Sequence, residues 1–93
     1  MVSTITLARA FRRHVDCPDE TVEVDAAATV GDALTEYFRR HPAVRSYVLD
    51  DTGSLRRHVT VFLDDAQLSH RDALTAPLAP TSTIHLFQAL SGG

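Results

Sequence analysis

The stretch Thr29-Val30-Gly31-Asp32-Ala33-Leu34-Thr35-Glu36-Tyr37-Phe38-Arg39-Arg40-His41-Pro42 decides how the rest of the chain is read. Val30, Ala33, Leu34, Tyr37 and Phe38 recur at the i, i+3, i+4, i+7, i+8 spacing that gathers side chains on one face of an α-helix. Thr29 is a good N-cap. Asp32, three residues on, makes a near capping box and suits the positive end of the helix dipole. Arg39, Arg40 and His41 fall in the last turn, where cations are favoured, and Pro42 disfavours helical geometry at His41. On both sides of this helix the apolar period changes to two.

Upstream, Ile5 and Leu7 alternate with Thr4 and Thr6 over residues 3–8, and Val22 and Val24 share a face over 21–25. Between them, 12–19 is charged and holds Pro18, so it reads as a loop and the two strands as a hairpin. Downstream, in a run from Leu55, Val59, Val61 and Leu63 lie on one face and His58, Thr60 and Phe62 on the other. Asp64-Asp65 reads as a tight turn after which Gln67 and Leu68 pair briefly. The last strand is 83–88, with Ile84 and Leu86 inward and His85 and Phe87 outward. Val44 to Leu49 reads as a short strand or an irregular connection, and Asp50-Asp51-Thr52-Gly53 as a turn. Residues 69–82 read as a loop anchored by Leu74 and Leu78. The order is strand, strand, helix, strand, short strand, strand. An α+β fold of the β-grasp type, a small mixed sheet wrapped over one main helix, accommodates that order. Its expected core is Ile5, Leu7, Val22, Val24, Val30, Leu34, Phe38, Val59, Val61, Ile84 and Leu86.

Ninety-three residues leave room for one domain, here 1–88, followed by a flexible tail at 89–93. A composition of 44% hydrophobic and 23% charged residues excludes a disordered chain. No apolar run approaches the ~20 residues of a membrane helix. The formal net charge of −3 leaves no overall footprint for nucleic acid. All nine basic residues are Arg, which excludes a catalytic lysine, a Schiff base, a P-loop and a lysine acceptor for an isopeptide bond. The lone Cys17 cannot form an internal disulfide, and no leader pattern opens the sequence, so a cytoplasmic protein is expected.

The chemistry gathers at the end. Gly92-Gly93 has no side chain to pack, so it forms a thin stalk that can enter a narrow channel and present an α-carboxylate. A carboxylate is a poor acyl donor until activated, usually by adenylation. Three stretches carry a family resemblance: Thr29 to Leu34 at the helix start, Leu55 to Asp65 in the long strand, and Ile84-His85-Leu86-Phe87-Gln88-Ala89-Leu90-Ser91-Gly92-Gly93 at the end. With the length, these resemble the MoaD/ThiS-type sulfur carriers of the ubiquitin-like β-grasp superfamily, nearest to CysO-like carriers. Gln88 and Ser91 stand where such tails often carry Pro and Ala, and Pro80-Thr81-Ser82 replaces a Gly-Asp-like turn.

The resemblance implies a protein co-substrate without catalytic residues or a stably bound cofactor of its own. A ubiquitin-activating-type enzyme would use ATP to adenylate Gly93, with Gly92 and Ser91 giving access. A sulfur donor would convert the product to a thiocarboxylate, and a downstream biosynthetic enzyme would accept the sulfur. The rival readings are the small subunit of a molybdopterin-synthase-type complex, a protein modifier joined through Gly93, and a binding module with an idle tail.

Phe62 and Phe87 fall on the outward parity of their strands and form a candidate docking patch, with Leu90 an apolar anchor at the tail root. Thr4, Thr6 and Ala8 would share that face if the sheet pairs as in the family. His14, His41, His58, His70 and His85 match no zinc spacing and read as surface residues, with His58 and His85 candidate neighbours across strands. Cys17, beside Pro18 in a charged loop, reads as an incidental exposed thiol. Arg12-Arg13, Arg39-Arg40 and Arg56-Arg57 read as solvated pairs able to steer an acidic partner or a nucleotide-bearing enzyme.

Overall fold

A computed structural model describes residues 1–88. The chain runs β1 (Val2–Leu7), α1 (Arg9–Arg12), β2 (Glu20–Glu23), α2 (Val30–Arg40), α3 (Pro42–Val48), β3 (Val59–Leu63), β4 (Ala66–Gln67), a 3-10 turn (Ala73–Thr75) and β5 (Thr83–Gln88). The strands form one mixed sheet in the order β2-β1-β5-β3-β4. Its central pair, β1 and β5, is parallel, and the other pairs are antiparallel. The sheet wraps α2, as the element order requires, and the expected β-grasp is the observed fold.

Local chemistry explains where α2 begins and ends. The Thr29 hydroxyl accepts from the Asp32 N–H at 3.2 Å, and the Asp32 carboxylate accepts from the Thr29 N–H at 2.9 Å, so the capping box closes reciprocally. Pro42 ends α2 and also occupies the first turn of α3. A missing N–H costs nothing there, because the first-turn donors have no intrahelical partner. Segment 42–48 is therefore helical, not the strand or irregular connection expected, and it buries Val44 and Val48 one turn apart.

Inward-facing residues alternate along β1, β3 and β5, and Ile5, Val30, Ala33, Tyr37, Ile84 and Leu86 are fully enclosed. Of the expected core, only Val24 is half-buried at the margin. Phe11 from α1, Leu55 and Ala73 join the core, which the sequence reading did not anticipate. In the segment before β5, Leu78 is a buried anchor as expected, but Leu74 is only half-buried. The Leu74 carbonyl instead lies 2.9 Å from where a Cβ on Gly31 would sit, so the glycine is what lets α2 approach the 3-10 turn.

Candidate functional site

The site builds outward from β5. Its register places Thr60 opposite Phe87, Phe62 opposite His85, and Val59 opposite Gln88. Phe62 and Phe87 are thus diagonal neighbours on the solvent face of the sheet, a spacing aromatic rings can bridge. The rings meet edge to face with centroids 5.3 Å apart at 78°. Phe87 is 43% exposed, the most open large apolar side chain among the described residues, while Phe62 is half-buried beneath its neighbour.

Parallel pairing sets Thr6 beside His85. Thr6 Oγ1 and His85 Nδ1 hydrogen-bond at 2.5 Å, and the His85 ring lies 6.2 Å from that of Phe87. Thr4, Thr6, Thr60, Phe62, His85 and Phe87 together make a sheet face with no Asp, Glu or Arg among them. Ala8 continues it, donating its N–H to Leu86 O at 2.9 Å. Gly93, Gly92, Ser91 and Leu90, the tail residues singled out in the sequence, lie outside the described residues.

The other candidates are dispersed. His58 precedes the Val59–Gln88 pair and lies four residues before Phe62, which faces His85, so the two histidines are not cross-strand neighbours. His14 stacks on Tyr47, His70 Nε2 contacts Arg56 O at 2.8 Å, and His41 pairs with Glu20. The hydrogen bond from His41 holds the Glu20 carboxyl below its ordinary pKa. Among the described residues no three His, Cys, Asp or Glu side chains gather as a metal site.

Cys17 corrects an expectation: it is 2% exposed, and burial pushes its thiol pKa up, which suppresses thiolate chemistry. The loop carrying it is strapped down by Tyr37, whose hydroxyl donates to Pro18 O at 2.7 Å. No local pattern in 12–19 signals this, because the strap comes from a helix nineteen residues away. No helix among the described residues is long and apolar enough to cross a membrane.

A β-grasp sheet over one helix, with its central strand leading to the tail, defines a ubiquitin-like domain. The ThiS family model matches residues 6–93, and the chain belongs to the ThiS family, a group of small ubiquitin-like sulfur carriers and modifiers. Small archaeal modifier protein 1 of Haloferax volcanii is 39% identical over 72 residues, which are 77% of this chain and 78% of that protein. A crystal structure of the same Haloferax protein superposes with a TM-score of 0.84 at 30% identity over 100% of both chains. A chain from the Amycolatopsis orientalis BexX/CysO complex shares the fold, with a TM-score of 0.74 at 22% identity over 98% of this chain and 99% of that one.

Proposed function

We propose that this protein is a sulfur carrier whose working group is the Gly93 carboxylate. The observation that carries the reading is the family match, which extends through Gly92-Gly93 at residue 93. In the proposed cycle, a ubiquitin-activating-type enzyme uses ATP to join the Gly93 carboxylate to AMP, releasing pyrophosphate. A sulfur donor displaces AMP to leave a thiocarboxylate, and a downstream biosynthetic enzyme takes the sulfur. The protein contributes no catalytic side chain and holds no cofactor; ATP belongs to the partner. Gly92 keeps the stalk thin, Ser91 lies in the segment that gives access to Gly93, and the cycle runs in the cytoplasm.

Intact mass of the protein recovered gently from its host tests this. Sulfur in place of one oxygen, localised to the C-terminal peptide, is the expected result. An unmodified mass after ATP, a sulfide source and every activating-type enzyme of the host have been supplied overturns the reading.

The 39% identity to a protein named as a modifier favours a second reading, in which Gly93 is joined to amines of target proteins. A ladder of covalent adducts in host lysate would mark it.

In either reading the Phe62–Phe87 face docks the activating enzyme, with Leu90 extending the apolar contact along the tail. Phe87→Ala and Phe62→Ala are each expected to slow activation at least about tenfold, as truncation of an aromatic anchor does, without unfolding the domain. Activation of both variants at the wild-type rate removes the patch from the mechanism.

A further inference from the structure

The three arginine pairs noted in the sequence have different fates in the fold. Arg39 and Arg40 are engaged by Glu36 and Glu20. The other two pairs converge. Because β1 and β5 are parallel and Leu7 faces Leu86, the chain leaves both strands at the same end of the sheet. Arg9, Arg12 and Arg13 follow β1 directly, on and just after α1. Because β3 is antiparallel to β5 and Val59 faces Gln88, the residues entering β3 reach that end too, and these are Arg56 and Arg57.

At the opposite end, Glu23 faces Val2, and Asp64 and Asp65 follow Leu63, which faces Ile84. Asp64 is held there, its carboxylate accepting from the Thr83 N–H at 2.9 Å. A chain with a net charge of −3 thus carries a basic end and an acidic end, and the basic end is where β5 gives way to the tail. Asp16 and Asp19 in the loop after α1, and Asp50, which lies within the field of Arg56, offset this only in part: Asp19 pairs with Arg12 at 2.6 Å. Arg56 is half-buried and spends its Nε–H on Ser46 O at 2.6 Å. Arg9, Arg13 and Arg57 are exposed and form no ion pair among the described residues.

We propose that Arg9, Arg13 and Arg57 form a cationic collar around the root of the tail, and that the collar docks on a carboxylate-lined rim of the protein that receives the tail. Gln88 and Phe87 are consecutive, so the collar lies at the end of β5 that carries Phe87. Guanidinium groups present a fork that matches carboxylates, and a local field of this kind speeds encounter even where net charge would repel an acidic partner. The collar rests on the carrier or modifier reading, because it needs an enzyme that takes the tail.

The test is ATP–pyrophosphate exchange by each purified activating-type enzyme of the host, with the full chain as substrate at low and high salt. Arg9→Ala/Arg57→Ala is compared with Ala26→Glu/Ala27→Glu, which lowers net charge equally but follows β2 at the acidic end. Thermal melts establish that both variants fold. The collar variant is expected to lose about tenfold in kcat/KM at low salt, with the gap closing as salt screens the contact, and Arg9→Lys/Arg57→Lys to recover part of it. The Ala26→Glu/Ala27→Glu variant keeps the wild-type value. Equal losses in the two alanine and glutamate variants would reduce the effect to net charge and overturn the collar. So would no loss in the collar variant while the wild type is activated. If no host enzyme activates the wild type, the carrier reading fails, and the collar loses its partner with it.

Discussion

Deletion of Gly92 and Gly93 is expected to abolish activation while leaving the melting curve of the domain in place. The shortened chain still ends in a carboxylate, but on Ser91, two residues earlier in the sequence and bearing a side chain. Misplacing a reacting atom by about 1 Å already costs on the order of 100-fold, and two residues displace it much further. Stability is untouched because the core among the described residues reaches only to Leu86. Exchange kinetics and a thermal melt on the same preparation check both halves. A truncated protein activated at the wild-type rate would move the function off Gly93.

Replacing Tyr37 by Ala is expected to remove a large share of the stability of the domain. The ring is fully buried and lies against Phe38 and His41, with its hydroxyl on Pro18 O. Removing a buried aromatic costs about 3–5 kcal/mol, a large share of the roughly 5–15 kcal/mol that holds a domain together. Tyr37→Phe keeps the packing and isolates the strap across 12–19, at about 1 kcal/mol. Urea melts of the pair measure both.

Burial also raises the Tyr37 phenol pKa above its ordinary value. The neutral phenol is the form the fold favours, so the contribution is complete below the ordinary tyrosine range and lost as pH rises beyond it. Tyr37→Phe should lose that alkaline dependence. A loop equally ordered in Tyr37→Ala, seen as unchanged protection of Cys17 from alkylation, would contradict the strap.

What was readable in the sequence follows from how local each signal is. The Thr29–Asp32 box and the stripe from Val30 to Phe38 are complete within ten residues, and α2 formed as they dictate. Strand parity likewise placed Ile5, Leu7, Val59, Val61, Ile84 and Leu86 inward. Pro42 carried two meanings, a stop for one helix and a start for the next, and only packing of Val44 and Val48 chooses between them. Phe11, a lone large aromatic in a charged stretch, was a signal for α1 that alternation alone does not interpret. The Phe62–Phe87 pair follows from parity plus register, but the His85–Thr6 contact requires β1 and β5 to lie side by side, seventy-nine residues apart. The collar depends on the same pairing.

The position of β5 has a consequence for biosynthesis. It is the last strand of the described chain, yet it sits in the middle of the sheet and joins β1 to β3. A nascent chain can form the β1–β2 hairpin and α2 as they emerge, but the two halves of the sheet share no bonded strand until residues 83–88 have left the ribosome. A prematurely terminated product therefore lacks the finished domain as well as the Gly92-Gly93 end on which the proposed function rests. Translation itself would then keep unfinished copies from competing for the activating enzyme.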